Sequence, residues 1–399
     1  MSLGFLSGLS GFILNHKLVV GFYLLIALLL FVYRKKFQFQ FKVIALYRTT
    51  LGLGLMDRIA SRHRELVKLL GYIGIGVGFL AMFFILFILL QSVFTLITVP
   101  NSPSPISPVL PGVRIPGVPE SFFVPFVQGI IAIFIIAVVH EFSHGVVARA
   151  HDVKVKSSGP AIIGPIFAAF VEPDEAQLKK KPDIVNYSIF AAGTFSNIVL
   201  AFVVLFLLSA VFAPVSSAFF PQQGIVLKSV ESGLPASAAG LKPGMAITAI
   251  NSQLILSTDE ALNALQLVRP NQTAIFSTGS GDFSVIAGAN SKYPGRGYFG
   301  IVIEPVLKNG GTPAFRIFVW LQELMKWIAT LSFGIGIANM IPIGPIDGGK
   351  MLHLALQRIG GEQKAKKTFG RLSLLLLLVI LFLLSPIFRA ILKSVAGFF

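Results

Sequence analysis

The sequence predicts a polytopic α-helical membrane protein, with about six transmembrane segments and one extracytoplasmic α+β domain set between them. Three observations support this. The 399-residue chain is 54% hydrophobic and only 13% charged, and its mean hydropathy is +0.81. A soluble domain is about 25% charged, and a soluble fold could not hide this much apolar surface without leaving large patches that associate. The apolar residues gather in runs, and crossing a bilayer takes roughly 20 such residues. One stretch of ordinary polarity, 222–306, interrupts the runs.

The predicted spans are 17–33, 70–99, 123–148, 187–213, 328–341 and 372–385. The fifth is short and runs into Pro342, Pro345 and Asp347, while Pro386 permits a kink before an amphipathic tail. Residues 34–69 hold nine Lys/Arg against Asp57 and Glu65, and residues 342–371 hold six against Asp347 and Glu362. Lys and Arg collect in cytoplasmic loops, so both loops are assigned to the cytoplasm. Counting spans then puts 100–122 and 214–327 outside and 149–186 inside. Residues 100–119, rich in Pro, Ser and Gly, read as an exposed linker.

The net charge of +16 is therefore an orientation signal, and no nucleic-acid partner is expected. With no cysteine, disulfides and thiolate metal sites are excluded. No removable signal peptide is expected.

Residues 159–172 are too short to span, too apolar for a soluble loop, and broken by Pro and Gly. They predict a membrane-dipping hairpin or strand pair, its backbone covered by protein or a water cavity. In 222–306, a strand at 224–227 is followed by a short helix ending at Gly240, which can take the positive φ of a helix terminus. A Pro243-Gly244 turn leads into a strand ending at Asn251. A helix at 260–268, strands at 274–277 and 283–287, and a further strand around Tyr298-Phe299-Gly300-Ile301 follow. With its Ala239-Gly240-Leu241-Lys242-Pro243-Gly244-Met245 stretch, this pattern resembles a PDZ domain in permuted strand order.

The densest chemical signal is His140-Glu141-Phe142-Ser143-His144. Positions i and i+4 lie about 40° apart on a helix, so both imidazoles can reach one metal ion. Glu141 beside them can hold a proton from metal-bound water, and zinc in such a site lowers the water pKa towards about 7. The five-residue pattern alone is common, but Glu141 is the only charged residue between Glu120 and Arg149. A carboxylate at membrane depth costs about 2.5–3.5 kcal/mol on insertion scales, and intramembrane acids usually mark a site. Catalytic zinc usually takes a third protein ligand. Asp347, directly after a predicted span and on the same side, is the candidate; the alternatives are that it caps helix 350–359 and that His151 completes the set. Asn197 in its small-residue span makes either a helix–helix hydrogen bond or a bond to substrate or oxyanion. His16 and His63 read as solvated, and no ligand role is expected for His353.

Taken together, His140-Glu141-x-x-His144, the Gly193…Asn197 span and Asn339-x-x-Pro342-x-x-x-x-Asp347-Gly348 resemble the site-2 protease family of intramembrane zinc metalloproteases over roughly 123–360. The resemblance implies a three-helix catalytic core with Zn2+ held by His140, His144 and Asp347. It implies Glu141 as general base and then acid, and Asn197 and Asn339 as groups holding the substrate or the transition state. Segment 159–172 would match the family's membrane-embedded strands, which pair with an unwound substrate.

The substrates implied are single-span membrane proteins already shortened outside by another protease; membrane lipids are the other partner. The expected organisation is 1–122, two spans with basic loop and external linker; 123–213, the first part of the core; 222–306, the PDZ-like domain; 314–360, an amphipathic lead-in and the third core segment; and 361–399, a last span and tail. Tyr298, Phe299, Gly300 and Ile301 could receive a peptide carboxylate, unless the domain is only a steric filter. Two rivals use the same features: a metal transporter or sensor with these ligands, and a PDZ-based membrane scaffold.

Overall fold

The structure, a computed structural model, describes residues 17–40, 44–99, 102–163, 166–289 and 295–396. The chain forms two compact units, one of Phe206–Gln322 and one of the residues before and after it.

The first unit contains helices α1 (Lys17–Val32), α2 (Leu53–Arg62), α3 (Arg64–Thr98), α4 (Phe126–Ala150), α5 (Asp183–Leu207), α6 (Pro313–Ala338, the part from Glu323), α7 (Asp347–Leu383) and α8 (Ser385–Ala396). Its strands are β1 (Gln38–Gln40), β2 (Ile44–Leu46), β3 (Val155–Ile163) and β4 (Ile166–Pro173). Small residues let the long helices close on one another, as membrane helices require. Along α3, Gly71 faces Ser188, Gly74 faces Phe195, and Gly78 faces Ala191 and Met351.

Among the described residues, three helices are long and apolar enough to cross a membrane: α3, α4, and α5 with its continuation to Phe219. The pair α7 and α8, bent by 41°, raises the number to four. This is fewer than the six spans predicted. The run at 17–33 forms a helix of 16 described residues. The run at 328–341 is the end of α6, whose earlier turns carry Arg316, Glu323 and Lys326. Hydropathy marks the apolar stretch, whereas the helix continues for as long as backbone bonding does. Gly361, at φ +72°, interrupts α7, a conformation that glycine adopts without steric cost.

Segment 159–172 falls within the antiparallel pair β3–β4, and β1 and β2 extend it to a four-stranded sheet in the order β1-β2-β3-β4. The basic loop thus supplies two strands that its charge conceals. A backbone reason is visible at Pro160, which has no N–H to give: it lies opposite Ala169, while its carbonyl accepts the Tyr47 N–H at 3.1 Å. Where a Cβ on Gly159 would stand, the Tyr47 carbonyl oxygen approaches instead.

The 100–119 linker, read as exposed, is pinned where described. The hydroxyl of buried Ser104 is shared between the Ile106 carbonyl at 2.5 Å and the Leu383 carbonyl at 2.9 Å, the latter at the break between α7 and α8. Gly112 leaves room for Val19 and Phe126. A carbonyl freed at a helix break needs a donor, and the linker provides it.

The second unit carries β5 (Gln222–Val230), β6 (Ala246–Ile250), β7 (Gln253–Leu254), β8 (Thr273–Thr278), β9 (Gly281–Ile286), β10 (Gly288–Ala289), β11 (Gly297–Tyr298) and β12 (Ile301–Leu307). The main sheet is antiparallel in the order β12-β5-β6-β8-β9, with β7 on β6. Alternate residues Ile225, Leu227, Ile247, Phe276 and Val285 face one core. A helix at Thr258–Gln266 opens on a capping box, in which Ser257 and Glu260 satisfy each other's backbone N–H. Gly240 sits at φ +92° after the helix Pro235–Ala238.

Candidate metal centre

His140 and His144 lie one turn apart on α4, both buried, with ring centroids 4.9 Å apart. Asp347 reaches them from the start of α7. The turn before it is tight: Gly348 donates its N–H to the Asn339 carbonyl at 2.8 Å. A Cβ on Gly348 or Gly349 would overlap the carbonyls of Met340 and Ile343. Asp347 does not cap its helix, whose N-cap position is Ile346 with no side-chain bond. Its Oδ2 instead lies 3.1 Å from Nε2 of both histidines. One ligand atom from each of the three residues falls within 4.8 Å of the others.

The outer nitrogens are held as well. Nδ1–H of His144 donates to the Ile189 carbonyl at 2.6 Å, which turns its Nε2 lone pair inward. The Asn197 carboxamide nitrogen lies 3.1 Å from Nδ1 of His140, and its Oδ1 has no partner among the described residues. An imidazole that coordinates through Nε2 carries its proton on Nδ1, and that orphaned oxygen can accept it once the amide is turned end for end. Asn339 Nδ2 stands 3.5 Å from His140 Nε2.

Gly193 on α5 completes the cradle. A Cβ there would overlap Nε2 of His140 and stand 2.5 Å from Nε2 of His144. The missing side chain, the inward nitrogens and the shared carboxylate fit a metal ion. Two imidazoles and one carboxylate are a usual catalytic zinc set, which keeps a coordination position open.

Glu141 Oε2 accepts the Val171 N–H of the sheet at 3.0 Å. Ser158, opposite Val171, exchanges backbone bonds with Thr49 instead. Val171 therefore directs its N–H away from β3, on the outer edge of the sheet. Glu141, His144 and Asp347 line a cavity of about 1120 Å³ that also reaches Arg48, Lys350 and Arg358.

Among the described residues, no other candidate histidine joins this group of ligand atoms. His151 is buried 3.3 Å from the Ser188 hydroxyl and beside the Tyr72 ring. His353 packs on Phe369, His63 sits between α2 and α3, and His16 lies outside the described residues. In the second unit, Phe299 is a core residue stacked on Phe276. The Phe299 and Gly300 carbonyls accept the N–H groups of Ala236 and Glu231. The Tyr298 hydroxyl is 3.4 Å from the Glu231 carboxylate, so a peptide carboxylate arriving at this loop would meet a like charge.

Sequence reasoning missed Gly193 as a site residue, reading it as a packing glycine, and it missed Lys350. The Ile189 carbonyl and the Val171 N–H are backbone groups common to all residue types but proline, so residue type could not flag them.

Fold and site define a helical membrane protein with a buried metal-ligand set of two histidines and an aspartate and a carboxylate alongside. The chain belongs to peptidase family M50, the site-2 protease family, whose model matches residues 128–384. It is 27% identical over 229 residues to an uncharacterized protein of Methanocaldococcus jannaschii, covering 56% of each chain. It is 36% identical over 50 residues to a protein named zinc metalloprotease RasP in Geobacillus kaustophilus, covering 12% of each. It is also 21% identical over 336 residues to membrane metalloprotease ARASP, chloroplastic, of Arabidopsis thaliana, covering 63% of this chain and 74% of that one. The chain thus spans about half the length of the first of these relatives and an eighth of the second.

Proposed function

We propose that this chain is a zinc-dependent intramembrane endopeptidase that hydrolyses peptide bonds within the transmembrane segments of single-span proteins. The observation that carries the proposal is the placement of Glu141 beside the buried set of His140, His144 and Asp347, on a helix apolar enough to cross a membrane. Zinc held there would supply a Lewis acid that polarises the scissile carbonyl and acidifies water. Glu141 accepts a proton from the attacking water on its carboxylate and returns it to the leaving nitrogen. Asn339, whose Nδ2 stands 3.5 Å from His140 Nε2, would donate to the carbonyl oxygen as it gains charge.

A helical substrate hides its carbonyls in its own hydrogen bonds, so it must unwind before cleavage. The outer edge of β4, which ends beside Glu141, suits an extended segment that adds as a further strand. The cavity lets water reach the carboxylate. With the loops 34–69 and 342–371 cytoplasmic, the domain at 222–306 falls on the extracytoplasmic side, where it would admit only substrates already shortened by another protease.

The test uses the full chain in liposomes with single-span substrates. Wild type cleaves them, and a chelator stops it. Glu141→Gln keeps its zinc and cuts at least about 10²-fold more slowly, the usual range for losing a general base. Cleavage by Glu141→Gln at the wild-type rate would favour a transporter or sensor instead.

A further inference from the structure

We infer that Lys350 is a positioning residue that holds Asp347 to a single metal-facing oxygen and so keeps a coordination position free. The inference rests on the metal site proposed above. The two oxygens of Asp347 are divided between different partners. Oδ2 is 3.1 Å from both imidazole nitrogens, while Oδ1 accepts a hydrogen bond from Lys350 Nζ at 3.1 Å. Lys350 lies three residues further along α7, where side chains share a face. Its ammonium also stands 5.7 Å from the centre of the Phe190 ring on α5, a cation–π contact that helps hold the charge in place.

The division matters because a carboxylate can give a metal one oxygen or two. With two histidines and both oxygens of Asp347, the protein would supply four donor atoms, and water or substrate could join only as a fifth ligand. With Oδ1 held by Lys350, three positions are filled and one stays open for reacting groups. Partners behind a ligand commonly shift metal affinity by about 10–100-fold; here the partner also selects how many oxygens are offered.

Co2+ replacing zinc reports coordination number through the intensity of its visible bands, because geometry is diagnostic for these ions. The full chain in detergent is loaded with Co2+ as wild type, Lys350→Arg, Lys350→Met and Lys350→Gln, with cobalt content and helical circular dichroism measured on each. Wild type and Lys350→Arg are expected to share the intense bands of four-coordinate cobalt. Lys350→Met and Lys350→Gln should keep their cobalt while the bands weaken several-fold as a second oxygen joins. Bands of wild-type intensity in both uncharged variants at equal cobalt content would overturn the inference. Loss of cobalt from folded variants would overturn it too, because Lys350 would then govern retention and not denticity. Failure of wild type to bind cobalt would instead overturn the metal site itself.

Discussion

Gly193 on α5 faces the imidazole of His140 on α4 so closely that a methyl group cannot stand between them. The same position crowds Nε2 of His144. The first added carbon would therefore fall where a ligand-bound ion belongs, and both rings are buried with little room to move. Gly193→Ala should lower metal content by more than half and abolish activity. Overpacking of this kind costs about 1–3 kcal/mol, so the fold should survive. Metal analysis beside a thermal melt checks this, and a fully metallated variant would refute it.

Asn197 holds the outer nitrogen of His140 from a fully buried position. Its backbone carbonyl also accepts the Ser332 hydroxyl at 2.8 Å, tying α5 to α6. Asn197→Ala removes the ring's partner but leaves that tie intact. Metal affinity should fall by about 10–100-fold, measured by competition with a chromophoric chelator, with little change in helix content. Unchanged affinity would leave the asparagine with a substrate role alone.

Ser104 and Leu383 are joined across most of the chain by one hydroxyl-to-carbonyl bond at the α7–α8 break. Ser104→Ala leaves that carbonyl without its donor in a buried setting, a loss of about 1–3 kcal/mol. The expected result is a lower melting midpoint with zinc content unchanged, since neither residue touches the metal ligands. Equal midpoints for variant and wild type would mean that water replaces the hydroxyl.

His151, just past the end of α4, has its pKa pushed below the usual histidine value, first by burial and then by Lys68, Lys181 and Arg64, with Asp152 opposing. The unfolded chain therefore binds this proton more readily than the folded one. Stability from the neutral ring is fully present above the unfolded pKa of about 6.5 and is lost as pH falls through the folded value. Melting midpoints should drop from pH 7 to pH 5, and less steeply in His151→Gln. Parallel profiles for the two proteins would remove His151 as the cause.

The pair of histidines, Glu141 between them and the candidate Asp347 were legible in the sequence. A five-residue helical spacing is a local property, and a lone acid in an apolar run is conspicuous. The strands of the second unit were legible for the same reason: residues 224–227, 247–251 and 274–277 alternate or cluster over a few positions. The hairpin at 159–172 could be read from its length and its prolines, but its partners could not. Strands β1 and β2 come from a loop that looks only basic, and the pairing of β2 with β3 depends on backbone groups more than a hundred residues away.

Tertiary structure alone decided how the site is finished. Whether Asp347 capped its helix or met the histidines depended on a turn tight enough to exclude any Cβ at Gly348 and Gly349. Gly193, Lys350, the Ile189 carbonyl and the Val171 N–H enter through contacts between separate elements. Sequence records which groups a chain possesses and their local periodicity. Which of them face one another is set by packing, because helices and strands bury whatever face the rest of the chain leaves them.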